Sequence, residues 1–428
     1  MPEESMSSDL KPQQLPAVRI YGKAGSAIAY TIRDFLARCD IPFEWIELKS
    51  DEEAHAKAGV NSLADPRLPL CIFSDGTRLE SPTLRQIIEK LGWYRDPSHT
   101  EYDLAIYGAG PAGLGAAVYG ASEGLKTIVI ERFAVGGQAA SSPKIENYLG
   151  FAHGISGAEL AERAREQACR FGAEILLGRE GVRGEFSTGK RVGYLADGTK
   201  IVARAAICAT GIEYRRLGVP NEERFAGAGI YYGAGSSEAA QCWKEHVFMV
   251  GGGNSAGQAA LHFARFASKV TMVVRGDSLK STLSKYLIDR IYATPNIEVL
   301  THAEVVAVHG DELLHAVTLT NNQTGQQQTF ETSRLFVCIG GLPHTDWAKE
   351  VGVVRDEAGY IVTGPDLLHD GRPRNGWPLE RNPYYLESNV PGLFAAGDVR
   401  HNSVKRCASA VGEGAMAVAF VHRYLQEG

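Results

Sequence analysis

Residues 102–131, YDLAIYGAGPAGLGAAVYGASEGLKTIVIE, decide the fold. An apolar strand runs into a glycine turn, a small-residue helix follows, and a second apolar strand ends in an acid. Gly108, Gly110 and Gly113 give the pattern G-x-G-x-x-G, with Pro111 and Ala112 opening the helix and Glu131 closing the second strand. Each position has a physical reason. The first glycine makes the tight turn, the second lets backbone approach a pyrophosphate, and the third lets helix pack closely on strand. The helix N-terminus favours the phosphate charge, and a carboxylate at the second strand's end accepts hydrogen bonds from a ribose. The stretch predicts a dinucleotide-binding unit.

A second copy lies downstream in HVFMVGGGNSAGQAALHFARFASKVTMVVRGDSLK, residues 246–280. Gly251, Gly253 and Ala256 fill its G-x-G-x-x-A slots, with Asn254 and Ser255 between them. Its second strand leads to Arg275, with Lys280 close behind, instead of to an acid. Cationic side chains suit a 2′-phosphate, so this copy leans towards NADPH over NADH; the competing reading is two solvated surface charges. Two unequal nucleotide sites on one chain imply hydride transfer from a nicotinamide to a flavin. Between and beyond them, RAAICATGIEYRRLGVP carries a strand and an Ala209-Thr210-Gly211 turn of the kind that leads between domains. PGLFAAGDVR ends a strand in Gly397-Asp398, a carboxylate suited to a flavin's ribityl or pyrophosphate end.

Composition agrees with an ordinary soluble globular protein. The chain has 428 residues, enough for two or three domains, with 44% hydrophobic and 22% charged residues. A formal charge of -6 gives no reason to expect a nucleic-acid or anionic-membrane partner. The polar first fifteen residues read as a loose tail and not a signal peptide, and no apolar run reaches the roughly 20 residues of a membrane span. A cytoplasmic protein is expected. Its seven cysteines, Cys39, Cys71, Cys169, Cys208, Cys242, Cys338 and Cys407, form neither a Cys-x-x-Cys nor a zinc-binding spacing, so no metal site is expected. Most of them read as buried small hydrophobes.

The motifs GAGPAG, GGQAASSPKIENYLG, ATG, GGGNSA, VCIGGLPHT, FAAGDVR and KRCASAVGEGAMA follow one another in order. Through them residues 101–428 resemble the low-molecular-weight thioredoxin reductase family of FAD-dependent pyridine nucleotide–disulfide oxidoreductases. The resemblance implies an α/β flavoprotein with two Rossmann-like domains, FAD and NADPH as cofactors, and a homodimer. It implies an FAD domain in two parts, residues 102–214 and 334–428, with an NAD(P)H domain inserted at 215–333. By motif position Gly137, Gln138 and Asn147 approach the flavin. Arg406, Cys407 and Ala408 lie along its pyrimidine side, and Ile339 and Gly340 of VCIGGLPHT join the cofactor-binding set. The family's paired arginines are half kept, as Arg275-Gly276-Asp277.

One departure changes the chemistry. Where the family reads like Tyr-Cys-Ala-Thr-Cys-Asp, with two thiols relaying electrons from the flavin, this chain has Tyr232-Gly233-Ala234-Gly235-Ser236. Glycine and serine form no disulfide, so that internal exchange step is lost. Glu238 stands near the family's Asp, and Cys242 is the nearest remaining thiol. Residues 16–93 carry a similar loss. They read as β-α-β-β-β-α and resemble a glutaredoxin-like thioredoxin fold, with Pro69 at the place of that fold's cis-proline and Asp75-Gly76 as a hairpin turn. Ser26 and Ala29 stand where glutaredoxins have their Cys-x-x-Cys, and residues 94–101 form a linker. The insert TGPDLLHDGRPRNGWPLERNPYYLES, residues 363–388, reads as a surface excursion.

Three functions fit these features, and the catalytic residues stay unassigned. The chain could carry electrons from NADPH through FAD to a non-protein acceptor, with no internal Cys-x-x-Cys. It could remain a disulfide reductase using Cys242, Cys407 or the cysteines of a redox partner protein. Or it could be a slow flavin-based sensor or docking protein.

Overall fold

The structure, a computed structural model, describes residues 16–187, 189–233, 236–311, 313–373 and 377–427. The expected tail, residues 1–15, lies outside them.

Four strands open the chain: β1 (Val18–Gly22), β2 (Phe43–Glu47), β3 (Leu70–Phe73) and β4 (Arg78–Glu80), in the spatial order β2-β1-β3-β4. β1 pairs parallel with β2 and antiparallel with β3, so the chain crosses from β1 to β2 through helix α1 (Ala27–Arg38). The Ser26 hydroxyl caps α1 by accepting from the Ala29 amide at 3.3 Å. Ile32, Phe35 and Leu36 turn one face of α1 into the core against Val18 and Ile20. The Leu68–Pro69 peptide ahead of β3 is cis.

Residues 94–101 do not hang free. The buried Arg179 holds Asp96 and Asp197, each at 2.6 Å, while its guanidinium lies 4.2 Å from the Tyr94 ring centre. Glu174 accepts from the Ser98 amide at 3.0 Å and from the Tyr102 hydroxyl at 2.9 Å. This connection is therefore ordered against the sheet that follows.

That sheet is built on Tyr102–Tyr107, which pairs parallel with Thr127–Glu131 on one side and Lys200–Cys208 on the other. Leu393–Ala395 returns from near the C-terminus to pair parallel with Lys200–Cys208, joining two distant parts of the chain in one unit. The helices Pro111–Ser122 and Cys407–Glu427 pack face to face through small residues. A Cβ on Gly414 would collide with the Ala112 carbonyl oxygen, and one on Gly115 would stand 2.9 Å from the Val411 oxygen. The small-residue helix is thus a packing requirement, since the partner backbone occupies the space a side chain would need.

A five-stranded sheet in the second unit has Arg334–Val337 between Ile230–Tyr232 and His246–Val250, all parallel. A boundary at residue 334 would cut through this sheet. Leu335, Phe336 and Val337 are buried on both sides, so the unit needs them and the return to the first unit follows Val337. The insert is pinned where it is described: Arg381 binds the buried Glu387 at 2.6 Å, and the Tyr384 ring stacks on Phe420 of the C-terminal helix at 5.4 Å.

Candidate functional site

The first glycine turn is shaped to hold a ligand. Gly108 has φ +103° and its Cβ would strike the Ala209 carbonyl, so only glycine fits. A Cβ on Gly113 would overlap the Gly108 oxygen, which fixes the close approach of helix to strand. Gly110 is different: a Cβ there would meet nothing within 4 Å, because it points into a cavity. Glu131 is buried, and its two oxygens accept from the Ala109 and Phe133 amides, each at 2.8 Å. The carboxylate therefore braces the turn while lining the cavity, and burial raises its pKa.

The cavity has a volume of about 910 Å³, ample for a dinucleotide. The glycine turn opens it with Gly108, Gly110, Pro111 and Ala112, and Gly137, Gln138 and Asn147 form a second wall. Ala209, Thr210 and Gly211 of the crossover contribute a third wall. Gly397, Asp398, Arg406 and Cys407 close the far side. Asp398 is largely shielded there, and burial pushes its carboxyl up. Behind it, Glu413 accepts from the Gly397 amide at 2.7 Å and pairs with Arg400 at 2.8 Å, holding the Gly-Asp turn in place.

The second turn opens on the same cavity. Asn254 and Ser255, at the N-terminus of helix Asn254–Phe263, line it together with Gln258. Gly251 has φ +136° and a Cβ there would strike the Cys338 oxygen, with Ala256 packed next to it. Gly253, like Gly110, has nothing within 4 Å of its Cβ position. The segment 275–284 runs alongside: Thr282 donates to the Gly252 oxygen at 2.6 Å, and Asn254 accepts from the Ser284 amide at 2.8 Å.

Some sequence candidates stand elsewhere. Gly113, Gly251 and Ala256 act in packing behind the turns and do not line the cavity. Arg275 and Lys280 are exposed beside the second turn, outside the cavity wall, as are Gly253, Ile339, Gly340 and the exposed Ala408. Sequence reasoning passed over Tyr214, whose hydroxyl lies 3.3 Å from Ser141 and whose ring would be 2.6 Å from a Cβ on Gly233. It also passed over Arg38, Arg85 and Tyr94, cavity-lining residues that precede the first glycine turn by many positions. A basic residue at a helix end gave no signal of that role.

The segment 232–242 is partly described, since Ala234 and Gly235 lie outside the described residues. Gly233 faces Tyr214, and Ser236–Cys242 forms a 3₁₀ turn. Cys242 is fully buried among Tyr231, Ala239 and Phe263, and burial pushes its thiol up to about 12. Glu238, also fully buried, pairs at 3.3 Å with Arg33 of α1. Arg33 in turn lies over the Trp45 ring at 4.4 Å, and Tyr30 packs on Tyr231 at 5.4 Å. Helix α1 therefore grips Tyr231 and Glu238, which flank residues 233–236 in sequence. Cys407 is the one cysteine lining the cavity among the described residues, and burial raises its thiol too.

The chain matches known proteins in sequence and in fold. The family model of the pyridine nucleotide-disulphide oxidoreductases matches residues 102–414. The chain belongs to that family. It is 37% identical to the thioredoxin reductase of Bacillus subtilis over 76% of its own length and 95% of that protein. It is 35% identical to the thioredoxin reductase of Treponema pallidum, over 76% and 98%. The solved thioredoxin reductase of Lactococcus lactis, in its FR conformation, superposes with a TM-score of 0.68 at 29% identity, over 76% of this chain and all of that one. That of T. acidophilum gives 0.67 at 30%, over 77% and 99%. The protein is an FAD-dependent NAD(P)H oxidoreductase, thioredoxin reductase-like, with FAD and NADPH as its cofactors. The cavity fits FAD, because Gly110, whose missing side chain leaves open space, faces it beside a helix N-terminus. Among the described residues no group of three His, Cys, Asp or Glu could hold a metal, and no helix is long and apolar enough to cross a membrane.

Proposed function

We propose that this oxidoreductase ends its electron relay at the flavin, passing electrons from NADPH to a small non-protein acceptor without an internal dithiol. The observation that carries the reading is the position of Cys242. Its sulfur is enclosed in the core of the second unit and donates to the Glu238 carbonyl at 3.3 Å, and Cys242 does not line the cavity. A thiol held neutral and dry is a poor nucleophile for disulfide exchange. When bound, FAD supplies the two-electron step, taking a hydride from NADPH and giving it to an acceptor such as a quinone, which also takes one proton from water.

The chain's own residues then bind and orient. Asn254 and Ser255 hold the second turn's helix end against the first cavity, and Asp398 and Asn147 shape its flavin end. Residues 16–93 complete the reading as a glutaredoxin-like module without its dithiol, and the chain as a whole is read as a cytoplasmic homodimer.

Anaerobic reductive titration tests it. A dithiol relative takes up four electrons per subunit, whereas this protein is expected to take up about two, all on the flavin. Uptake of four electrons that falls to two in Cys242→Ser would restore the disulfide reductase. Turnover with thioredoxin or a small aromatic disulfide would do the same, and no turnover with quinones or oxygen would leave a sensor. The 2′-phosphate preference is tested separately. Replacing Arg275 and Lys280 together by Ala should raise KM for NADPH roughly tenfold or more, the loss of charge-assisted phosphate contacts, and leave NADH little changed. Equal effects on both cofactors would assign the two side chains to the solvent.

A further inference from the structure

Helix α1 ends in Arg38, and its guanidinium reaches out of the N-terminal module to the first glycine turn. Its Nη1 donates to the Gly137 carbonyl at 3.1 Å, and its Nε donates to Asp34 at 2.9 Å. The guanidinium carbon lies 5.7 Å from the Phe133 ring centre. Gly137 in turn abuts the turn itself: a Cβ on it would stand 3.3 Å from the Gly110 Cα. Arg38 is thus one backbone width from the residue whose missing side chain leaves room for a pyrophosphate. It lines the same cavity as Gly110 and Glu131, and its charge opposes the rise that burial causes in Glu131.

We propose that Arg38 is a ligand of the FAD diphosphate, so that the N-terminal module forms part of the flavin site. The proposal rests on the assignment of FAD to this cavity. Arginine suits the task because it offers five N–H donors in a fixed fork that matches phosphate oxygens. One donor is spent on the Asp34 carboxylate, which competes with a ligand for the guanidinium charge, and one on the Gly137 carbonyl. Nη2 has no hydrogen-bond partner among the described residues and belongs to a side chain that lines the cavity. A cation there adds to the helix N-terminus of Pro111–Ser122, which alone would face two phosphate charges. The family model's match begins at residue 102, so Arg38 lies outside the part of the chain that it covers.

The test compares ligands that share parts of FAD on flavin-stripped full-length protein. Arg38→Gln should weaken FAD and ADP by roughly 10- to 100-fold, the loss of a charge-assisted phosphate contact, and leave riboflavin unchanged. Asp34→Asn should act in the opposite direction and tighten FAD several-fold, because it removes the carboxylate that competes for Arg38. This second variant carries the test alone should Arg38→Gln not fold. Unchanged FAD affinity in either folded variant overturns the proposal, and so does an equal loss for FAD and riboflavin, which would mean a packing role. A parent protein that takes up no FAD at all overturns the cofactor assignment itself, and the proposal with it.

Discussion

Glu238→Ala is expected to destabilise the protein by about 3–5 kcal/mol, the cost of leaving a buried charge without its partner. Arg33 is the stranded group. Its side chain is 6% exposed, and its Nε and Nη1 have no hydrogen-bond partner among the described residues. Besides pairing with the Glu238 carboxylate, the guanidinium lies over the Trp45 ring, and a ring by itself compensates weakly for a desolvated cation. The loss should appear in one place first. Because the pair joins α1 to the segment 236–242, the N-terminal module should become the earliest transition in a urea titration and the earliest fragment released by trypsin. Glu238→Gln should cost less, since its amide oxygen still presents a partial negative charge to the Arg33 guanidinium. The double replacement Arg33→Met with Glu238→Leu should recover most of the loss, because an apolar pair of similar volume avoids desolvating two charges. A Glu238→Ala protein within about 1 kcal/mol of the parent, with the module no easier to cleave, would show that the ion pair does not hold the two units together.

That ion pair also marks where the sequence stops being readable. The two glycine turns were legible because each glycine answers a local constraint: a positive φ at Gly108 and Gly251, and a backbone contact at Gly113. Such requirements involve residues close in sequence, so the pattern carries them openly. The crossover and the Gly397-Asp398 turn were legible for the same reason. Arg33, Arg38 and Tyr214 act across long stretches of chain, and nothing in the local pattern of α1 separates an arginine that enters a cavity from one that meets water. The boundary at residue 334 failed for a related reason. Arg334–Val337 is an apolar run that suits either parallel sheet, and only its pairing with Ile230–Tyr232 and His246–Val250 assigns it. The stretch Gly233–Ser236 lies between these cases. That it holds no cysteine is plain in the letters, but the engagement of the neighbouring Glu238 by α1 is visible only once both units are folded.

The largest functional effect should come from the two glycines whose side-chain positions are empty. Gly110 has φ -70° and ψ -177°, and Gly253 has φ -93° and ψ 176°, both ordinary extended backbone for any residue. With nothing within 4 Å of either Cβ position, valine at 110 or 253 should fold without strain. What each should lose is its ligand, because the added methyl groups occupy the place where a pyrophosphate meets the helix end. Gly110→Val is expected to give a colourless, folded protein that FAD does not turn yellow. Gly253→Val should be yellow, remain oxidised when NADPH is added, and bleach with dithionite, because only the second site is blocked. Gly113→Ala provides the contrast. Its Cβ would overlap the Gly108 oxygen, so it should fail in folding and not in binding alone. Visible spectra with far-ultraviolet circular dichroism separate these outcomes. A Gly253→Val protein that NADPH still reduces at the parent rate would remove the second turn from the hydride path. A Gly110→Val protein that retains its flavin would place the pyrophosphate elsewhere in the cavity.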